Sequence, residues 1–283
     1  MILLEKTEVV GFEPAIRGMR NPKNSWAKSD SGICKGGDDG IGCQNCARYN
    51  CCHSYDHSFQ LGKNDFSLMD TLATGGPVHA KYRRMLTIYV DITAPLYWWK
   101  EFDTYKVGTV ANSCSTMHKI AAKEFVPEDF SCEHLLTNWL NEENIDAFTP
   151  VPEYDDDIKY WSPMDILKVT IDALNVNRTA YLKAEEALKT RPNLTAAEQK
   201  HLVAQQKLFW WQMIQLLPSS YNQKRTVMLN YEVLAGLYPM RKFHKLDEWH
   251  EFCHWVERLP YSCLITRDKE LEQYGITNSG QTN

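Results

Sequence analysis

The segment Leu86–Ile92 constrains the fold more than any other part of the sequence. Apolar residues stand at every second position, Leu86, Ile88, Val90 and Ile92, and alternate with more polar ones. This period of two predicts a β-strand over residues 84–93 with one buried face. Ala94-Pro95 ends the alternation, and a proline suits the start of the helix predicted from Leu96 to Phe102. The chain therefore has to build a sheet and cover it.

The second half of the chain is predicted to be mostly helical. Ser162-Pro163 begins a helix that runs to about Leu188, and the capping box Thr195-Ala-Ala-Glu198 begins another that ends at Pro218. Residues 221–229 are predicted to be extended. Asn230 is predicted to cap a helix over residues 231–238, and Asp247 to cap the last one.

The first third of the chain combines regular segments with a long polar stretch. A strand is predicted to continue through Val9 and Val10, a short helix follows over residues 13–20, and Asp65 is the predicted N-cap of a helix that ends at Gly75. We interpret residues 21–64 as an insertion. Loops this long inside a domain are usually functional. The predicted fold class is α+β, a mixed sheet with packed helices in a single domain over residues 1–275, followed by a disordered tail over 276–283.

The net charge and hydropathy of the chain limit the kinds of molecule that it is expected to bind. The formal net charge is −5, so no global basic field favours nucleic acid, and an anionic ligand requires a local cluster of Lys and Arg. No stretch approaches the ~20 apolar residues of a membrane span. The N-terminus meets a charge at Glu5 and lacks a signal-peptide core. These observations predict a cytoplasmic protein that binds neither membrane nor nucleic acid.

Cysteine is concentrated in one place. Five of the nine cysteines fall between Cys34 and Cys52, with two histidines close behind; the cluster comprises Cys34, Cys43, Cys46, Cys51, Cys52, His53 and His57. Without an export signal a disulfide framework is not expected. Zinc binding, a redox pair at Cys43 and Cys46, and free thiols all stay open. The cluster contains only one CxxC pair, so we assign no metal ligand.

Three segments, in this order, resemble the flavin-dependent thymidylate synthases. The first is Gly76-Pro-Val-His79 before the strand that ends at Ala94-Pro95. The second, Thr104 to Met117, aligns without gaps on the family signature Arg-His-Arg-x-x-Ser-x-Asn-Glu-x-Ser-x-Arg-Tyr. The third runs from Leu216-Leu-Pro218 to Asn230, then to Leu234, Arg241 and Trp249.

The resemblance implies a specific reaction and assembly. Members of this family transfer a one-carbon unit from methylenetetrahydrofolate to dUMP, which yields dTMP. They reduce this unit with the hydride of FAD, and NADPH recharges the flavin. They are homotetramers whose active sites lie between subunits. The expected partners of this chain are therefore a pyrimidine nucleotide and further copies of itself.

The resemblance also assigns residues to roles. Arg241 is the expected catalytic residue, because the family arginine at this position contacts the pyrimidine ring and stabilises the charge that develops there. The expected substrate-binding residues are Glu101, Asn112, Cys114 and Arg241. The expected flavin-binding residues are His79, Thr104, Tyr105, Lys106 and Asn230.

The signature departs from the family in ways that keep a second hypothesis open. Arg-His-Arg has become Thr104-Tyr105-Lys106, the later Glu and Ser have become Asn112 and Cys114, and the final Arg-Tyr has become Thr116-Met117. Lysine offers a point charge where arginine offers a fork. The chain is therefore either an enzyme of this class or a homologue that binds a nucleotide or flavin without the chemistry. Replacement cations are expected either at His118 and Lys119 or in the group Lys81, Arg83 and Arg84.

Several assigned residues also have an ordinary structural interpretation. Arg241 at a helix end interacts favourably with the helix dipole, and Asn230 is a common N-cap. Cys114 has only His118 nearby to activate it, and an unactivated thiol is mostly protonated, which argues against a nucleophile. Glu101 stands where the family has a nucleotide-contacting Gln. Because a carboxylate repels phosphate, Glu101 has to face the base.

Overall fold

The computed structural model describes residues 1–33, 59–137 and 162–268. They divide into two compact units. The sheet unit comprises the described residues of Ile2–Thr93, Lys100–Asn112 and Lys224–Asn283, and the helical unit comprises those of Ala94–Trp99 and Ser113–Gln223 together with Met1. The single domain over residues 1–275 stays a prediction.

The sheet unit is built on four strands in the order β1-β4-β6-β5. Their bounds are β1 Leu3–Val10, β4 Thr87–Pro95, β5 Val110–Ser113 and β6 Asn222–Asn230. β1 pairs antiparallel with β4, and the register shifts between Glu5 and Glu8. The alternating apolar residues of β4 are all buried, which confirms the predicted buried face. Two short strands, β2 Gly32–Ile33 and β3 Phe59–Gln60, form a separate antiparallel pair.

Helices complete the sheet unit. They are α1 Phe12–Arg20, α2 Lys63–Thr74, α7 Tyr231–Arg241, α8 Asp247–Glu257 and α9 Cys263–Thr266. Gly11 joins β1 to α1 with φ of +101°, and a Cβ there would lie 2.2 Å from the Met85 carbonyl oxygen. Only glycine combines this left-handed backbone with such a close approach.

The helical unit is dominated by two long helices, α5 Pro163–Thr190 and α6 Ala196–Leu216. The predicted capping boxes are present at Ser162 and Thr195, whose hydroxyls accept from the backbone N–H of the third helical residue. A shared core holds the helices together; it comprises Ile120, Ala121, Phe125, Phe130, Leu167, Ile171, Leu174 and Met213. The two remaining described helices of the chain are α3 Leu96–Phe102 and α4 Thr116–Lys119.

Two sequence predictions about local structure are wrong. Asp65 does not cap α2, because its carboxylate is buried beneath the helix; the side chain of Asp30 accepts from the N–H groups of Asn64 and Asp65 instead. Asp247 is not a helix cap either, because the N-cap of α8 is Leu246. The strand predicted over residues 84–93 is present as β4, which begins at Thr87 because Lys81–Arg84 form a 3-10 helix.

No helix within residues 1–33, 59–137 and 162–268 has the length and apolar character to cross a membrane. In the same residues, no group of three or more His, Cys, Asp and Glu side chains is placed to hold a metal ion. The cysteine and histidine cluster from Cys34 to His57 lies outside the described residues.

Candidate functional site

Arg241, the last residue of α7, meets the segment that follows α3. Its Nε donates to the hydroxyl of Tyr105 at 2.8 Å, and its Nη1 donates to Oε2 of Glu101 at 2.6 Å. Pro239 lies in the last turn of α7, two residues before the helix ends at Arg241. Two segments more than a hundred residues apart in the sequence therefore converge.

An aromatic wall holds the guanidinium in place. The Arg241 Cζ lies 4.5 Å from the ring centroid of Trp249 and 5.4 Å from that of Tyr105. These are cation–π distances, and Trp249 is fully buried. Trp249 also packs on Phe102 and Phe252, with ring centroids 6.5 and 5.5 Å away. The buried ring of Trp249 and the aromatic residues behind it therefore fix the position of the Arg241 guanidinium.

Glu101 is the acceptor at the centre of the site. Besides Arg241, Trp249 Nε1 donates to its Oε2 at 3.1 Å, and Nε2 of His244 lies 3.3 Å from the same atom. The side chains of Arg241 and Glu101 are 15% and 34% exposed, which leaves the pair open to a ligand. We call Glu101, Tyr105, Arg241, His244 and Trp249 the Arg241 cluster. The sequence did not indicate His244, because no motif marks it.

The segment after α3 continues along α7 toward its other end. A Cβ on Gly108, where φ is +81°, would lie 2.9 Å from Val233 Cγ2 and 3.2 Å from Asn230 Nδ2. Asn230 and Arg241 mark the two ends of α7, which are about 16 Å apart at 1.5 Å per residue. The segment after α3 therefore contacts α7 near both of its ends, through Tyr105 at Arg241 and through Gly108 at Asn230.

Asn230 caps α7, as predicted. Its Oδ1 accepts from the backbone N–H of Val233 at 3.0 Å. Thr104, assigned to the flavin by resemblance, donates its hydroxyl to the carbonyl of Glu101 at 2.7 Å. Lys106 is exposed. The structural interpretation of Asn230 therefore holds, and it is compatible with a ligand contact through Nδ2.

Besides Thr104, Lys106 and Asn230, three more of the assigned residues lie outside the Arg241 cluster. His79 is exposed, lies beside Gly75 at the end of α2, and lines a separate groove. Asn112 is exposed in β5. Cys114 belongs to the helical unit, where its carbonyl accepts from Gln223 Nε2 at 2.9 Å.

The predicted replacement cations have separate environments. His118 Nδ1 lies 3.2 Å from the hydroxyl of Ser115, so its imidazole contacts that side chain. Arg83 is buried, and its Nη1 lies 3.8 Å from Glu232 Oε2 in the first turn of α7. Lys81 and Arg84 are exposed. Arg83 therefore does not share one surface with the two cations beside it in sequence.

The residues assigned to a flavin offer two kinds of donor in this structure. Asn230 uses its Oδ1 for the helix cap, which leaves Nδ2 as a donor suited to a ring carbonyl, and the exposed Lys106 suits a phosphate. Thr104 and Tyr105 are engaged in the internal bonds above. The set therefore fits a flavin held by one cation where the family signature has Arg-His-Arg.

Comparisons with known proteins find similarity in structure alone. No protein-family model matches the chain, and no curated protein matches it. Among solved structures, it is similar to thymidylate synthase X from Helicobacter pylori with FAD and dUMP, at 16% identity over 94% of this chain and 97% of that one, with a TM-score of 0.48. A flavin-dependent thymidylate synthase from Helicobacter pylori complexed with FAD and dUMP gives 14% identity, 94% and 98% coverage, and a TM-score of 0.47.

A third similar structure is the UMP/dUMP methylase PolB from Streptomyces cacaoi bound with 5-Br dUMP. Its identity is 15%, the match covers 91% of this chain and 88% of that one, and the TM-score is 0.43. Likeness at these values does not establish a family for this chain.

Proposed function

We propose that this protein binds a pyrimidine nucleotide at the Arg241 cluster and modifies its ring. The specific reaction we propose is transfer of a one-carbon unit from methylenetetrahydrofolate to dUMP, or a related modification of a pyrimidine nucleotide. One observation carries the proposal. The arginine that aligns with the family's pyrimidine contact is oriented by Tyr105 and Trp249 and stays partly exposed.

The chemistry follows from the geometry of the guanidinium. The bonds to Tyr105 and Glu101 use Nε and Nη1 of Arg241, which leaves Nη2 for a ring carbonyl. A cation there stabilises negative charge that develops as carbon five becomes nucleophilic, and it acts without a covalent enzyme nucleophile. Cys253 in α8 is no such nucleophile, since burial raises the pKa of its thiol to about 11.

Glu101 sets the condition for nucleotide binding. Its carboxylate bonds to Arg241 rather than facing solvent alone, so a uracil ring has to share or displace it. In that arrangement Glu101 lies beside the base, and the phosphate has to lie elsewhere, because two anions repel.

The remaining parts of the proposal come from the resemblance. FAD, when bound, supplies the hydride that reduces the transferred unit, and NADPH recharges it. Lys106 and the Nδ2 amide of Asn230 would hold the flavin. We also propose a cytoplasmic homotetramer, because the family builds its active sites between subunits.

A second candidate function has its own supporting observation. Glu101 neutralises Arg241 at 2.6 Å, where the family has an uncharged Gln, and this weakens the electrostatic help the arginine gives a developing anion. A nucleotide- or flavin-binding homologue without catalysis tolerates that neutralisation. We therefore keep it as the alternative.

The test separates binding from chemistry. Purified protein is loaded with FAD, its melting temperature is measured with and without dUMP, and tritium release from 5-tritiated dUMP is followed with methylenetetrahydrofolate and NADPH. We expect dUMP to raise the melting temperature by several degrees, as ligand linkage requires. We expect Arg241→Gln to abolish both the shift and tritium release.

Lys200→Gln is the matched control, because it removes the same charge from an exposed position in α6. It should leave the dUMP shift and tritium release unchanged. A dUMP shift without tritium release supports the non-catalytic alternative. Protein that neither binds FAD nor responds to dUMP contradicts both functions.

A further inference from the structure

A second groove in the sheet unit has a chemistry unlike the Arg241 cluster. Its volume is about 890 Å³, and it lies along α1, the segment 21–28 and α2. Its basic lining residues are Arg20, Lys23, Lys28, His79 and Lys81, and no Asp or Glu is among its described lining residues. We call it the basic groove. It shares no described lining residue with the Arg241 cluster.

The lysines of the basic groove have no counter-charge within the described residues. Lys23, Lys28 and Lys81 are exposed, and none of them forms an ion pair with a carboxylate of residues 1–33, 59–137 or 162–268. The chain as a whole carries −5. Three exposed cations therefore line one groove of a chain whose net charge is negative.

Arg20 provides the second, independent observation. It is 4% exposed, its Nε donates to Asp65 Oδ1 at 2.6 Å, and its Nη1 makes a long contact of 3.3 Å to the Ser25 carbonyl. Its Nη2 is buried and has no hydrogen-bond partner. A buried donor without an acceptor costs about 1–3 kcal/mol. Arg20 is among the residues that line the basic groove, so an acceptor that reaches Nη2 from the groove would remove that cost.

The other walls of the basic groove are apolar. They are formed by Met19, Pro22, Leu68, Leu72, Val78 and Met85. A volume near 900 Å³ lies within the range of small-molecule sites, which are mostly apolar with a few placed polar groups. Lysine ammonium groups are compact point charges suited to phosphate. The groove thus combines cations for a phosphate with a surface for an organic body.

We propose that the basic groove binds an organic diphosphate of the nucleotide type. Lys23, Lys28 and Lys81 contact the diphosphate, Arg20 donates from the wall, and the apolar side receives the organic part. Two sources share this chemistry, a free nucleoside diphosphate and the diphosphate of FAD. Only the FAD source rests on the proposed function.

The test is a calorimetric titration of the full chain with ADP as the probe. We expect saturable binding at one site that weakens as salt is raised, because the attraction is screened. The variant Lys28→Glu with Lys81→Glu should weaken ADP binding at least about tenfold, since two favourable charges become repulsive. Adenosine, which lacks the diphosphate, should bind at least about tenfold more weakly than ADP.

The matched control is Lys200→Glu with Lys207→Glu. It makes the same change in net charge at exposed positions of α6 and should change ADP affinity less than about twofold. Melting temperatures of both double variants check that they fold, and both should keep the dUMP shift that depends on Arg241 when that shift is measured without FAD. If dUMP does not raise the melting temperature of the wild-type protein, that result therefore counts against the proposed function alone.

Competition identifies the source of the diphosphate. If FAD displaces ADP, the groove takes the flavin's diphosphate; if both bind at once, it takes a free nucleotide, and either result supports the site. The proposal is overturned if ADP does not bind saturably or if adenosine binds as tightly. It is equally overturned if the Lys28 and Lys81 variant binds ADP like the control.

Discussion

Two arginine–carboxylate pairs in the sheet unit have the same length and opposite surroundings. Arg20 Nε lies 2.6 Å from Asp65 Oδ1, and Arg241 Nη1 lies 2.6 Å from Glu101 Oε2. The first pair is 4% and 0% exposed; the second is 15% and 34% exposed. Distance alone therefore does not distinguish them.

The difference lies in what else holds each carboxylate. Oδ2 of Asp65 accepts from the hydroxyls of Ser29 and Ser31 and from the N–H groups of Asp30 and Ser31. Glu101 accepts only from side chains at the edge of a partly open cluster. A buried carboxylate with this many donors is fixed in one arrangement, whereas a half-exposed carboxylate can exchange a partner for a ligand. Burial thus separates a carboxylate that stays with its arginine from one that can give way to a ligand.

The largest effect should come from breaking the buried pair. Asp65→Asn leaves Arg20 charged and buried without its counter-ion, and we expect a loss of about 3–5 kcal/mol in the free energy of unfolding. Glu101→Gln, the same change in the exposed pair, should cost less than about 1 kcal/mol. Urea unfolding at pH 7 measures both. Equal losses would show that burial does not separate the two pairs.

Lowering the pH should weaken the stabilisation that the buried Arg20–Asp65 pair contributes. Burial raises the pKa of the Asp65 carboxyl, but hydrogen bonds from Ser31, Ser29, Arg20 and Asp30 together outweigh it and lower the pKa below its usual value. The stabilisation is therefore present above the unfolded pKa, about 3.9, and is lost as pH falls through the folded pKa.

Urea unfolding from pH 7 down to pH 3 measures this loss. The stability difference between wild type and Asp65→Asn should shrink as the pH falls. A difference that stays constant over this range would show that Asp65 does not carry the acid sensitivity.

The smallest effect should appear at the Arg241–Glu101 pair, as a change in the affinity for dUMP and not in the free energy of unfolding. Glu101→Gln removes the carboxylate and frees the Arg241 charge, so we expect dUMP to bind about 3–5-fold more tightly, the size of an exposed ion pair. Calorimetric titration measures the affinity, and Asp70→Asn, which disrupts the exposed Arg267–Asp70 pair, is the control. Weaker dUMP binding in Glu101→Gln would show that the carboxylate itself contacts the nucleotide.

Local sequence patterns determined most of the elements. The alternation over Leu86–Ile92 and the capping boxes at Ser162 and Thr195 reappear as a buried strand and two long helices. These signals depend on residues within one turn or one strand of each other. Chain-neighbour preferences decide them before any tertiary contact forms.

The tertiary structure decided the roles of individual charges. Asp65 has the residue type of a helix cap, yet packing places it against Arg20, forty-five positions away, while Asp30 caps the helix. Glu101 and Arg241 are separated by 140 positions, and their contact exists only because α3 and α7 meet. A local sequence pattern does not indicate which distant charge will be buried beside a given residue, because the cost of desolvation depends on the whole fold. The resemblance predicted a site role for Arg241, and only the packed chain shows that this arginine already holds a carboxylate.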